Sequence, residues 1–351
     1  MRVLKQEQEP ASEEVTEVAP GVLRLQLPIS LPGLGHVNTY ALEDDRGVAL
    51  VDPGLPGRRS WQALQERLRT AGFPLARVHT VLVTHSHPDH YGGAPRLART
   101  GATVVAHEDF GPWWERRSGD VDGGDPAAAP AGRPGAPPWM QPTPWGGPSY
   151  RPPLRRRLSY HLLGRITGGR WRPPQPDRRL ADGGEIELGG RRWVARHTPG
   201  HTLDHLCLQD PDGGILLSGD HVLPTITPHI GGFNPAGDPL DDFFRSLDKV
   251  AAYGEQVSTV LPAHGHPFDD LAGRAKAIQE HHVERLERLR SAAAELDRPA
   301  TVQELSTHLF SRRAQGPMAD SETFAHLEHL RRGGEMTRRE EPGAWEYVLV
   351  G

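Results

Sequence analysis

Three histidines and an aspartate lie within six positions of the run Thr84-His85-Ser86-His87-Pro88-Asp89-His90. The apolar stretch before it, Val78 to Val83, predicts a buried strand. Side chains at this spacing cannot all face one way on a regular strand or helix, so we expect a loop that fans them around one centre. Imidazole and carboxylate groups together bind borderline divalent ions, zinc above all. The run therefore predicts a metal site, with a titrating surface patch as the alternative in a chain of 19 histidines.

Further metal-type residues follow later in the chain, each in a turn after a strand-like stretch. They are His201, Asp220 and His264, with His266 as an alternative to His264. Loops at strand ends are where a rigid sheet can hold such side chains together. The downstream residues favour a metal site over the surface patch.

Composition limits the classes of protein to consider. The 351 residues are enough for one large domain or two ordinary ones, and the net charge of −5 argues against general coating of nucleic acid. The single cysteine, Cys207, excludes an intrachain disulfide and favours a reducing setting. No apolar run approaches the length of a membrane span and the start has no apolar signal region, so we expect a soluble, cytoplasmic protein.

Residues 1–270 are interpreted as one catalytic α/β domain. Residues 1–14 are Glu-rich and predicted to be a disordered tail. Residues 111–178 hold 14 of the 34 prolines and five of the eight tryptophans, so they cannot be regular sheet or long helix throughout. This Pro/Trp/Arg-rich stretch is interpreted as an insertion, either a solvated loop or a lid that meets an anionic, partly apolar substrate.

Residues 271–351 are predicted to form a separate small α+β domain. Arg274 to Leu296 reads as a long helix, Thr301-Val302-Gln303-Glu304 as a capping box, and Ser321 as the cap of a third helix. Two strands follow between Gly334 and Val350. This order outlines a winged helix, for which packing or homodimerisation is favoured over nucleic-acid binding.

Four motifs together resemble the metallo-β-lactamase superfamily. They are the run from Thr84 to His90, His197-Thr198-Pro199-Gly200-His201-Thr202, Ser218-Gly219-Asp220 and Pro262-Ala263-His264-Gly265. The resemblance spans about residues 20 to 270 and implies a four-layer αββα sandwich with two metals at one edge of the paired sheets. The C-terminal module makes the chain similar to the β-lactamase-like protein 2 subgroup.

The resemblance implies two zinc ions per chain, with iron or manganese as alternatives. One metal would be held by His85, His87 and His201, and the other by Asp89, His90 and His264. Asp220 would bridge the two metals, and Asp52 would orient a ligating histidine. His36, His221 and His266 are weaker candidates for the second shell or for substrate contact, and His205 is expected to be structural.

Two nearby divalent ions can share a water and lower its pKa from about 15.7 toward neutrality, which would provide a bridging hydroxide. Asp89 or Asp220 is expected to orient that hydroxide and accept its proton. A zinc-dependent hydrolase of a small anionic ester, thioester of the acyl-CoA kind, or lactone is favoured. A single-strand endoribonuclease with the same dinuclear site and a mononuclear iron persulfide dioxygenase are the alternatives.

Overall fold

The computed structural model describes residues 4–112, 143, 145, 172–232, 237–341 and 344–351. Its first sheet has seven strands in sequential order, β1 to β7. The first four strands pair antiparallel, and β4 to β7 pair parallel. The strands are Val15–Ala19, Val22–Leu31, Leu34–Asp44, Gly47–Val51, Val78–Leu82, Thr103–His107 and Arg178–Leu180.

The second sheet has five strands in the order β12-β11-β10-β9-β8. All pairs are antiparallel except β11 with β12. The strands, from β8 to β12, are Glu185–Leu188, Arg191–His197, Leu206–Asp210, Ile215–Gly219 and Thr259–Pro262.

Seven α-helices lie in the described residues. In chain order, α1 to α7 are Arg58–Thr70, Pro88–Tyr91, Ala94–Ala98, Pro239–Ala251, Leu271–Leu296, Val302–Leu309 and Pro317–Arg332. Single turns of 3₁₀ helix occur at Gln6–Gln8, Leu75–Arg77 and Gly254–Gln256. None of the helices in this part of the chain is long and apolar enough to cross a membrane.

Strand β4 shows how the sequence builds the layers. All five of its residues are buried, because its two faces pack against different neighbours. Leu50 faces the layer of helices that includes Leu64 and Leu68 of α1. Val51 points the other way, into the core between the two sheets. A third core lies between the second sheet and helices α4 and α5, which completes the predicted αββα order of layers.

The residues after 270 share a hydrophobic core with the second sheet. Leu286 of α5 and Leu327 of α7 belong to the same buried cluster as Cys207 and Leu216 of the second sheet. A third sheet, in the order β13-β15-β14, covers this end. Its strands β13 to β15 are Ala300–Thr301, Met336–Glu341 and Ala344–Leu349. The winged-helix and homodimer interpretations stay predictions.

Two predicted helix caps differ from those observed. Ser60 lies inside α1, whose N-cap is Gly57, and its hydroxyl accepts a hydrogen bond from the backbone N–H of Leu55. Ser321 likewise lies within α7, which begins at Pro317. The Thr301 capping box is present, with Glu304 as its partner. A polar residue at a helix start is a weak boundary signal when tertiary contacts compete for its side chain.

The prediction of a disordered tail over residues 1–14 is wrong for residues 4–14. The carboxylate of Glu7 is fully buried and accepts hydrogen bonds from the backbone N–H groups of Thr225 (2.7 Å) and Ile226 (3.0 Å) and from the Thr225 hydroxyl. Composition signalled solvation here, but specific partners more than 200 residues away order the segment.

Most of the stretch interpreted as an insertion or lid, residues 111–178, lies outside the described residues. Among its described positions, Trp145 is buried and its ring centre lies 5.2 Å from that of Phe324 in α7. The backbone N–H of Trp345 in β15 donates to the carbonyl of Trp145 (2.8 Å). This part of the stretch therefore packs on the C-terminal elements.

Candidate metal centre

Strand β4 ends in a turn that places Asp52 beneath the histidine run. Asp52 has a left-handed backbone (φ 56°), which aspartate tolerates better than most residues, and it is almost fully buried. Its carboxylate accepts hydrogen bonds from the N–H and the hydroxyl of Thr84, both at 2.8 Å. It also contacts Nδ1 of His90 at 2.9 Å. Asp52 thereby links the ends of two parallel strands, β4 and β5.

The histidine run leaves β5 as a turn and enters the short helix α2. His87 is the N-cap of α2 and Pro88 is its first residue, where proline is favoured because no N–H is needed. The hydroxyl of Thr84 lies 3.0 Å from Nδ1 of His85. Because Thr84 donates to Asp52, its oxygen is free to accept the Nδ1 proton, which leaves Nε2 of His85 as the inward-facing acceptor.

His201 follows strand β9 through a turn that only glycine fits. Gly200 has φ 128°, and a Cβ there would lie 2.4 Å from Cβ of Phe243 in α4. Nδ1 of His201 lies 2.8 Å from the carbonyl oxygen of His229, while Nε2 points toward Nδ1 of His87 at 3.0 Å. The carbonyl of His229 therefore selects the tautomer of His201 whose Nε2 can bind a metal.

Asp220 follows β11 and reaches both groups of histidines. Its Oδ2 lies 3.9, 3.5 and 3.6 Å from Nε2 of His85, His90 and His201. Its Oδ1 lies 3.3 Å from Nε2 of His264. The side chain thus occupies the position between the groups that a bridging carboxylate requires.

His264 follows β12, at the edge where the two sheets meet. Its Nδ1 lies 2.6 Å from the carbonyl oxygen of His36, and its Nε2 lies 3.5 Å from Oδ2 of Asp89. The side-chain amide of Asn38 donates to the carbonyls of Pro262 and Gly265 on either side of it. Strand β3 of the first sheet therefore holds the turn that ends the second sheet.

The donor atoms of the seven predicted residues form two groups, and within each group they all lie within 4.8 Å of one another. The first group is His85, His87, His201 and Asp220, and the second is Asp89, His90 and His264. Nε2 of His90, Nε2 of His264 and Oδ1 of Asp220 are buried and make no hydrogen bond within the described residues. Buried polar atoms of this kind need a partner. Imidazole and carboxylate donors in two adjoining groups fit a pair of divalent ions.

The pKa shifts differ between the two groups of histidines. Burial, together with neighbouring imidazoles, lowers the pKa values of His85 and His87 well below the usual range. Burial would lower the pKa values of His90 and His264, but the charge of Asp220 raises them above the ordinary value for histidine. Burial alone would raise the pKa of Asp220, but His264 and His90 hold it well below its ordinary value. Neutral imidazole and ionised carboxylate are the forms that ligate metals.

The three weaker histidine candidates lie outside both groups of donor atoms. His36 is buried behind His264, where its Nε2 accepts from the N–H of Gly265 (3.1 Å). His266 contacts the carboxylate of Glu9 through Nε2 (2.8 Å). His221 is buried against Phe243, with ring centres 5.1 Å apart. Proximity in sequence to Asp220 and His264 suggested His221 and His266, and a glycine-rich sequence suggested His36, but none of the three joins either group of donor atoms.

The side chain of His205 holds the backbone of Asp220 in place. Its Nε2 accepts from the N–H of Asp220 (3.0 Å), and its Nδ1 lies 2.8 Å from the hydroxyl of Thr198. Thr84 and His229 complete the surroundings of the donor atoms, and sequence reasoning missed both roles. Thr84 precedes the run at a strand end, which is a signal that could have found it, whereas nothing in the sequence marks a backbone carbonyl at position 229.

Cys207 is not available as a nucleophile. Its thiol lies in β10, is fully buried, and burial raises its pKa to about 12. The thiolate is the reactive form of cysteine, so this side chain is inert at neutral pH.

A family model described as the metallo-beta-lactamase superfamily matches residues 32–266. This range contains all the donor residues and more than half of the chain. The chain therefore belongs to the metallo-β-lactamase superfamily, a class of metal-dependent hydrolases.

Solved structures show the same fold across almost the whole chain. The metallo-beta-lactamase family protein TTHA1429 from Thermus thermophilus is 32% identical, with a TM-score of 0.72 and coverage of 95% of this chain and 100% of that one. A beta-lactamase domain protein from Burkholderia ambifaria has the same TM-score at 26% identity, covering 97% and 96%. Matches of this extent include most of the elements after residue 270.

Two curated relatives have more specific names. Lactamase-like protein vrtG of Penicillium aethiopicum is 27% identical over 289 residues, which cover 81% of this chain and 70% of that protein. An atrochrysone carboxyl ACP thioesterase of Aspergillus fumigatus is 23% identical over 316 residues, covering 86% and 78%. The β-lactamase-like protein 2 subgroup stays a prediction.

Proposed function

We propose that this protein is a zinc-dependent hydrolase of acyl thioesters that uses two metal ions per chain. The observation that carries the proposal is the position of Asp220, whose carboxylate lies within 4 Å of histidines of both groups: His85 and His201 of the first, and His90 and His264 of the second. A mononuclear iron centre would use only a subset of these donors, whereas here all seven predicted residues converge. The name of the thioesterase relative supports a thioester as the bond that is cleaved.

Each donor residue has a role in this proposal. His85, His87 and His201 would hold one ion, and Asp89, His90 and His264 would hold the other, with Asp220 between the two groups. When bound, the ions would supply a water of lowered pKa and polarise the thioester carbonyl. Asp89 or Asp220 would orient the attacking water and accept its proton.

The chain's own residues also limit access to the site. The donor side chains, apart from the partly buried His87, are almost entirely buried, so little of the site is open to bulk water. The proposal of an anionic substrate rests on the arginines between 151 and 179, most of which lie outside the described residues. Small esters and lactones are the other members of the proposed substrate class.

Metal content and a substrate panel test the proposal together. We expect two zinc ions per purified chain, and hydrolysis of acyl-CoA or another acyl thioester that is lost after chelation and restored by zinc. His87→Ala should remove the activity, and His266→Ala, which changes a histidine outside both groups, is the matched control. One iron per chain, or no turnover of any thioester, ester or lactone above the metal-stripped protein, would overturn it.

A further inference from the structure

The loop between β11 and α4 carries the carbonyl that orients His201, yet its own backbone has little regular structure. Residues 221–232 contain no helix or strand. Such a segment holds a carbonyl in place only if other elements fix it. The residues that pack against His229 and its neighbours therefore decide where this carbonyl lies.

Helix α7 of the C-terminal region touches this loop at two successive residues. Both the hydroxyl and the carbonyl of Ser321 accept from the N–H of Gly232, at 2.9 and 3.1 Å. The carboxylate of Glu322 lies 3.4 Å from Nδ1 of His229. A Cβ on Gly232 would lie 2.3 Å from the ring of Phe324, so the loop meets the helix at van der Waals contact.

Glu322 is itself held firmly. It is 7% exposed and forms a close ion pair with Arg285 of α5. Burial raises its pKa, but the hydrogen bond with His229 and the charge of Arg285 lower it below the ordinary value for glutamate. The ionised carboxylate thus joins α5, α7 and the loop at one point.

We propose that Glu322 is a positioning residue for the metal centre, acting through His229 on His201. Glu322 fixes the ring of His229. The backbone carbonyl of His229 in turn accepts a hydrogen bond from Nδ1 of His201 at 2.8 Å. The C-terminal region is then part of the site that holds the first metal, whatever else it binds. This inference rests on the proposed two-metal function.

The second metal has no comparable link to α7 among the described residues. Its donors are oriented by Asp52 at His90 and by the carbonyl of His36 at His264, both in the N-terminal half of the chain. A change at Glu322 should therefore weaken one metal and spare the other. That selectivity separates positioning from a general loss of stability.

The test is zinc titration of the full-length chain after chelation. Glu322→Gln should weaken the first metal by about tenfold, the lower end of what removal of an outer partner costs. Ser321→Ala should act in the same direction but less, because the Ser321 carbonyl still accepts from Gly232. The matched control is Glu328→Gln, a buried carboxylate on the same helix that contacts Arg331, Arg338 and Tyr347.

Two backgrounds assign the effect to a metal. In His264→Ala, where the first group of donors remains complete, Glu322→Gln should still weaken zinc binding. In His201→Ala it should change nothing, because the residue it positions is absent. Circular dichroism on every variant identifies any that fail to fold, in which case Ser321→Ala carries the test.

The outcomes separate the inference from the proposed function. A folded Glu322→Gln variant with both zinc affinities unchanged overturns the positioning role, and so does equal weakening by Glu328→Gln. A wild-type chain that binds fewer than two ions overturns the proposed function first. Selective weakening of the first metal supports both.

Discussion

Two parts of the metal centre, the histidine run after β5 and His201, are held in different ways. The histidine run after β5 is fixed by its nearest neighbours, since Asp52 on the adjacent strand bonds to Thr84 and His90. His201, in contrast, depends on a loop that is fixed by both ends of the chain. Glu7 holds that loop at Thr225 and Ile226, and α7 holds it at His229 and Gly232. The contacts that hold the histidine run join residues 32 to 38 positions apart, whereas those that hold the loop beside His201 join residues 89 to 219 positions apart.

Asp220 lies between the histidine run and His201, so its removal should have the largest effect on zinc binding and activity. We expect Asp220→Ala to lose bound zinc and to reduce kcat/KM for a thioester by more than about 100-fold, because even outer partners of metal ligands cost about 10- to 100-fold. Metal analysis and steady-state kinetics on the same preparation measure both effects. Two metals per chain with near-normal turnover would exclude the bridging role.

Changing Asp52 tests whether its hydrogen bonds hold the histidine run in place. Asp52→Ala leaves the buried N–H of Thr84 without its acceptor, so the free energy of unfolding should fall by about 1–3 kcal/mol. Alanine also disfavours the left-handed backbone at this position, at a cost of about 1–2 kcal/mol.

Asp52→Asn is the matched control, because asparagine tolerates that backbone and keeps one acceptor oxygen. It should retain most of the stability but bind zinc more weakly, by about 10- to 100-fold, since the charge that orients His90 is gone. Urea unfolding and zinc titration separate the two effects. If Asn and Ala lower stability equally, the backbone and hydrogen-bond argument is wrong.

The histidine run and its strands were predictable from the sequence, whereas the contacts that hold His201 were not. The buried strands β4 and β5 were predictable, because the residues from Val48 to Val51 and from Val78 to Leu82 read as short apolar runs. The donor residues stand in short turns directly after such strands, so their convergence at one edge followed from topology. The αββα order of layers and the division of the donor residues into two metal-binding groups came from the resemblance to the superfamily.

The contacts that hold His201 and its neighbouring loop could not be predicted from the sequence. A backbone carbonyl at His229 has no signature in the side-chain pattern, and Glu7 lies in an acidic segment whose composition suggested disorder. Ser321 was interpreted as a helix cap, but its hydroxyl bonds to Gly232, 89 residues earlier. Contacts over such separations depend on the whole fold, which single-sequence patterns do not report.

Glu7, near the N-terminus, offers a second place at which to disturb the loop beside His201. Glu7→Ala leaves the partly buried N–H groups of Thr225 and Ile226 without this acceptor, so we expect a loss of about 1–3 kcal/mol in the free energy of unfolding. Zinc binding at the first metal should weaken less than in Glu322→Gln, because Glu7 contacts the loop three or more residues before His229. An unchanged urea midpoint would show that the segment does not order the loop in solution.

His266 should give the smallest effect and thereby mark the edge of the site. Its side chain is 41% exposed and its partner Glu9 is 40% exposed, and ion pairs at such positions contribute about 0–1 kcal/mol. His266→Ala should keep both zinc ions and nearly all activity, although it lies two residues from His264. Zinc titration beside His264→Ala makes the comparison. Loss of a metal in His266→Ala would mean that His266 supplies the donor assigned to His264.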